Sequence, residues 1–165
     1  MTKAEKFRSL FATKATGDYL SNHPPQDEST SYKLLKDSLS DSDIDELIDE
    51  KIVFIILVSP ASQDILIRDL PKGSKIICFD KNALSSFDPH QITAMLLHEI
   101  GHALSPHPKK LDGELNADAY AEKRGFGEAM LSGLRQGLAL KLPGFEENDV
   151  FMSRIVHLEG LARNT

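Results

Sequence analysis

Residues 52–58 (IVFIILV) constrain this chain more than any other stretch. Seven uninterrupted, mostly β-branched apolar residues call for burial, and they are far fewer than the roughly 20 that a membrane-spanning helix takes. A buried strand is expected. Two shorter runs follow, residues 64–69 (DILIRD) and 75–80 (KIICFD), with Pro60 and the segment Pro71-Lys72-Gly73-Ser74 as turns. Three strands within about thirty residues, joined by connections too short for crossover helices, predict a small three-stranded sheet that is at least partly antiparallel.

Helices are expected on both sides of that sheet. In residues 3–22 the apolar positions Phe7, Leu10, Phe11 and Ala15 recur at three and four. Residues 22–31 (NHPPQDESTS) lack periodicity and read as a loop. Short helices follow over residues 32–39 and 42–50, the second opened by Ser42-Asp43. From Asp88-Pro89, a cap residue followed by proline at the first helical position, the pattern is helical to the end. The spacing predicts helices over 89–105, 113–124, 127–141 and 149–162, with Gly125 and Pro143-Gly144 as stops. The fold class read from this order is α+β, a small sheet packed with helices in one domain over residues 1–165. Its parts are a helical segment 1–50, a sheet 51–80 and a helical segment 89–162.

Composition narrows the function. A 165-residue chain with 41% hydrophobic and 27% charged residues can bury a full core, and its formal net charge of -6 disfavours a nucleic-acid partner. The single cysteine, Cys78, cannot form an internal disulfide, and charges interrupt the first twenty residues where a secretory signal would be apolar. A cytoplasmic protein with no membrane span is expected. One cysteine also excludes the cysteine-rich zinc folds, so a zinc site would have to be built from histidine and carboxylate.

Such a site is written in residues 98–102, His98-Glu99-Ile100-Gly101-His102. Two histidines at i and i+4 sit one turn apart on one helical face, within reach of a single tetrahedral zinc ion. Glu99, offset by about 100° around the helix, flanks the metal as a general base instead of ligating it. The apolar stripe of Leu96, Leu97, Ile100 and Leu104 points elsewhere, while Ala94 and Gly101 leave room on the histidine face. In the next expected helix Glu114 and Asp118 are again i and i+4, on a face shared with Ala117 and Ala121. Glu114 is then the third metal ligand, and Asp118 accepts the outer N–H of a ligating histidine, foremost His98.

The sequence HEIGH followed by Glu114-Leu115-Asn116-Ala117-Asp118 resembles the H-E-x-x-H plus E-x-x-A-D signature of gluzincin metallopeptidases, the clan typified by thermolysin. Residues 113–138 are similar to the corresponding region of the family that contains the CAAX prenyl protease and the heat-shock protease HtpX, and Arg154-Ile155 with Leu158 resembles that family's R-I-x-x-L. The chain also resembles the soluble ImmA/IrrE-like peptidases, which have a similarly short spacing. Either resemblance implies a zincin-like fold, one zinc ion and hydrolysis of a peptide or protein substrate. The family is mostly membrane-embedded, and this chain carries no apolar span, so a membrane substrate is not implied.

Zinc held by His98, His102 and Glu114 would activate a water whose proton Glu99 accepts and passes to the leaving amine. Arg154 and His157, at i and i+3 in the last helix, are the candidate donors to the oxyanion. Tyr120 lies too far round the helix from Glu114 and Asp118 and is read as a packing residue. His107 is assigned to a polar loop, His23 and His90 have no evident partners, and Cys78 is read as a buried strand residue. The strand over residues 75–80 is the candidate edge for receiving a substrate strand. An alternative from a different class keeps the zinc but not the turnover: a catalytically silent, regulatory or phage-associated protein on a peptidase scaffold. Intact Glu99 argues against it.

Overall fold

A strand can pair in parallel with a second one only if the chain between them is about a dozen residues or longer, and residues 58–74 supply that length between β2 (Ile52–Leu57) and β4 (Lys75–Asp80). In the computed structural model these two strands do pair in parallel, with Ile52 opposite Lys75 and Leu57 opposite Asp80. The structure describes residues 1–11, 15–16, 30–57, 66–67, 70, 72–80, 84–105 and 110–162. Within them the chain divides into two compact units, Met1–Ser86 and Phe87–Thr165.

The expected three-stranded, partly antiparallel sheet does not form. Of the run at 64–69, the described part is β3 (Leu66–Ile67), which pairs antiparallel with β1 (Ala15–Thr16) in a separate two-stranded sheet. With β3 removed from between them, β2 and β4 are joined by a connection long enough for a parallel pair. Seven helices dominate the described residues, so the architecture is mainly helical with a two-stranded parallel sheet.

In the first unit α1 (Lys3–Ser9) starts at a capping box: the Thr2 hydroxyl accepts from the Glu5 N–H, and the Thr2 N–H donates to the Glu5 carboxylate at 2.7 Å. This helix is shorter than the periodicity predicts. Phe11 leaves it for a parallel bridge with Phe54, whose N–H donates to the Leu10 carbonyl at 2.8 Å. The same residues that satisfy helical spacing therefore also satisfy a sheet contact. Phe7, Phe11, Tyr32, Phe54 and Phe79 form a chain of ring contacts with centroids 5.0 to 5.7 Å apart. They are the aromatic core of this unit, together with Leu35 from α2 (Thr30–Ser38) and Ile44 and Leu47 from α3 (Asp41–Asp49). Helix α3 is capped by Ser40 with Asp43, two residues earlier than the Ser42 expected from sequence. Along β4, Ile77 and Phe79 are buried while Ile76 and Cys78 are exposed, which corrects the reading of Cys78 as buried. Residues 12–14 and 17–22 of the expected first helix, and His23, lie outside the described residues.

The second unit is four helices. Asp88 caps α4 (Pro89–Leu104): its carboxylate accepts from the N–H groups of His90 and Gln91, and Pro89 stands at N1. Helix α5 (Lys110–Glu122) is followed by Gly125 at φ +82, a left-handed position suited to glycine, and then by α6 (Gly127–Ala139) and α7 (Asp149–Ala162). Half of the residues of α4 are buried, with Ala94, Leu97 and Ile100 inaccessible. Its buried Gln91 reaches another helix, donating to Ser132 at 2.9 Å and Gln136 at 3.0 Å on α6.

Helices α4 and α5 meet backbone to backbone. A Cβ added at Gly101 would stand 2.8 Å from the Ala117 Cα and 3.0 Å from the Tyr120 Cβ, closer than atoms can pack. Gly101→Ala is expected to cost about 1–3 kcal/mol of stability and to weaken metal binding, because relief of the clash moves α5 and its carboxylates away from α4. Thermal denaturation and a metal titration of the same variant check both effects.

Candidate metal centre

The close approach at Gly101 brings the polar face of α4 to the polar face of α5. His98 and His102, one turn apart, hold their rings edge to face with centroids 4.5 Å apart. Glu114 reaches both: its Oε2 lies 3.4 Å from His98 Nε2 and its Oε1 lies 3.6 Å from His102 Nε2. All three ligand atoms of this group lie within 4.8 Å of one another. Donors placed tetrahedrally at about 2.1 Å from a metal stand roughly 3.4 Å apart, and each ring nitrogen has one Glu114 oxygen near that separation. The group of His98, His102 and Glu114 could hold a metal ion.

Behind His98 stands Asp118, fully buried, with its Oδ1 2.8 Å from His98 Nδ1. An ionised carboxylate at Nδ1 keeps the ring proton there and turns the Nε2 lone pair toward Glu114 and the metal position. Asp118 is itself held by Arg154 from α7: Nε donates to Oδ2 at 2.9 Å and Nη2 to Oδ1 at 2.8 Å. The third arginine nitrogen, Nη1, is 3.0 Å from Glu114 Oε2. Two carboxylates and one guanidinium leave the cluster one negative charge in excess, the balance that a bound cation corrects.

The titration behaviour follows from these contacts. Burial favours the neutral form of His98, yet the hydrogen bonds to Asp118 and Glu114 outweigh it and raise the pKa above 6.5. The His102 and His98 hydrogen bonds, followed by the charge of Arg154, hold Glu114 well below the usual carboxylate range despite desolvation. Asp118 is pushed upward by burial and brought net downward by its bonds to His98 and Arg154. For the metal-free protein the signs are opposite for the two residue types. A raised histidine contributes stability that is lost as the pH rises through its folded pKa, and lowered carboxylates contribute stability that is lost as the pH falls below their ordinary values of 4.5 and 3.8. The metal-free melting temperature is thus expected to peak at weakly acidic pH. Thermal scans in chelator between about pH 3 and pH 9 test this.

Of the remaining candidates, Arg154 joins the cluster in another role and the others stand outside it. Glu99 is exposed on the flank of α4 beside the histidines, in keeping with its one-residue offset from His98. His157 is half-buried on α7, and no contact among the described residues joins it to the metal group. Arg154, expected as a donor to substrate, spends its nitrogens on Asp118 and Glu114 instead. Tyr120 packs where Gly101 lacks a side chain and carries the Arg124 guanidinium 3.5 Å over its ring. His90 is exposed, 6.3 Å from the ring of Phe126, and His107 lies outside the described residues. What the sequence did not indicate is the carboxylate clamp of Arg154; the available signal was a buried aspartate, which requires a cation close by.

No helix among the described residues is long and apolar enough to cross a membrane. Compared with protein-family models, with curated proteins and with solved structures, the chain matches none.

Proposed function

We propose that this protein is a zinc metallopeptidase of minimal gluzincin type, acting on a peptide or protein substrate. The observation that carries the reading is the convergence of the His98, His102 and Glu114 ligand atoms within 4.8 Å, with Asp118 hydrogen-bonded behind His98. Two imidazoles and one carboxylate suit zinc, and three protein ligands are the number found in hydrolytic sites, where structural sites have four. The resemblance of HEIGH and Glu114 to Asp118 to the gluzincin signature supports the same reading. When bound, zinc supplies a Lewis acid for a scissile carbonyl and makes water acidic enough to lose a proton near neutral pH.

The chain's own residues do the rest. Asp118 fixes the tautomer of His98 so that Nε2 is available as a donor. The exposed Glu99 carboxylate accepts the proton of the attacking water and delivers it to the leaving amine. The test combines metal content of the purified protein with chelator-sensitive cleavage of casein, in wild type and Glu99→Gln. A wild type that binds no zinc at neutral pH ends the proposal, and a zinc-loaded wild type that cleaves nothing returns the chain to the silent, regulatory alternative.

A further inference from the structure

Arg154 is the one charged member of the cluster for which the proposed hydrolysis has no use. It arrives from α7, whereas the two carboxylates it meets belong to α5. Two of its nitrogens grip Asp118, Nε at 2.9 Å and Nη2 at 2.8 Å, and because the guanidinium is planar this grip also fixes the direction of Nη1. That third nitrogen lies 3.0 Å from Glu114 Oε2, the oxygen that also faces His98 Nε2 at 3.4 Å and would otherwise be as free as Oε1 to close on an ion. The other oxygen of the same carboxylate, Oε1, is the one on the His102 side, at 3.6 Å from Nε2. The side chain of Arg154 is 12% exposed and that of Asp118 is inaccessible, so water does not loosen the arrangement.

We propose, resting on the metal-centre reading above, that Arg154 is a positioning residue which holds Glu114 to coordination through Oε1 alone by keeping Oε2 as a hydrogen-bond acceptor. A carboxylate free of that bond can close both oxygens on an ion and fill the position that a water needs. The clamp also joins the ligand Glu114 to the histidine-orienting Asp118, so neither carboxylate turns without the other. A lysine supplies the charge but not the fork: one ammonium cannot bond both Asp118 oxygens side-on and Glu114 Oε2 together. A salt bridge that only steadied α7 against α5 would change melting temperature and leave the coordination untouched.

The experiment uses the full chain as wild type, Arg154→Lys and Arg154→Ala, each loaded with zinc or with cobalt(II) as a spectroscopic probe. Wild type is expected to show the intense visible band of four-coordinate cobalt. In Arg154→Lys that band is expected to weaken as the coordination number rises, and zinc, measured by competition with a chromogenic chelator, is expected to bind about 10- to 100-fold more weakly. Arg154→Ala is expected to show the same changes with an added loss of thermal stability, since Asp118 is then buried beside His98 alone. Arg154→Lys keeps a cation at Asp118, so its far-ultraviolet circular dichroism is expected to match wild type; loss of that helical spectrum makes the residue structural and overturns the assignment. A folded Arg154→Lys with the wild-type cobalt band and zinc affinity overturns it as well. A wild type that binds neither ion overturns the metal-centre reading itself.

Discussion

Glu99→Gln is expected to bind zinc as wild type does and to hydrolyse peptides about 10²- to 10⁴-fold more slowly. The substitution keeps the shape and removes what the mechanism asks of this side chain, acceptance of the water proton and its delivery to the leaving amine. Because Glu99 is exposed, the change is expected to shift stability by no more than about 0.5 kcal/mol. Folding and metal content are thereby separated from turnover, which makes the comparison decisive. The assay is cleavage of a fluorogenic peptide or casein at matched zinc occupancy. Equal rates for the two proteins would remove Glu99 from the chemistry.

Asp118→Ala should produce the largest loss of stability of any single change at the centre, about 3–5 kcal/mol. The aspartate is inaccessible to solvent, and its removal takes the carboxylate acceptor from two partners at once: the Arg154 guanidinium and His98 Nδ1. Zinc affinity falls along with stability, since nothing then fixes the His98 tautomer. Asp118→Asn, which keeps the shape and a hydrogen-bonding oxygen, is expected to fall between the alanine variant and wild type. Denaturant unfolding of the metal-free proteins measures the difference. A loss below about 1 kcal/mol would mean that the pair is no more than a solvated surface contact.

The second unit was far more legible in the sequence than the first, for local reasons. Asp88-Pro89 and Gly125 are signals that act within a few residues, and the helices begin and end close to them. Spacing at i and i+4 states which residues share a helical face, so His98 with His102 and Glu114 with Asp118 could be paired before any coordinates. The sheet, in contrast, depended on partners distant along the chain. Residues 64–69 carry an apolar pattern that fits any neighbouring strand, and nothing local says that Leu66–Ile67 pairs with Ala15–Thr16 and not with Ile52–Leu57. That one misplaced strand changed which strands pair: with Leu66–Ile67 taken elsewhere, β2 and β4 meet directly, and the long connection between them permits the parallel pairing that a short one would not. Phe11 illustrates the same ambiguity: four residues after Phe7, it suits a continuing helix as well as the bridge to Phe54 that it makes. Arg154 could be found but not understood. A long side chain reaches several neighbours, and its choice of Asp118 and Glu114 is made by packing of α7 in three dimensions.

The two histidines of the centre are unequal, with side chains 7% exposed at His98 and 32% at His102. For a metal held between them the inequality bears on time more than on strength. A competing chelator arriving from solvent would meet His102 before the more deeply placed His98. His98, braced from behind, lets go last. Departure would then proceed in stages, the slow one at the buried ring. An ion of ordinary equilibrium affinity would on this account have a long residence, and a brief exposure to chelator would strip far less of it than equilibrium dialysis does.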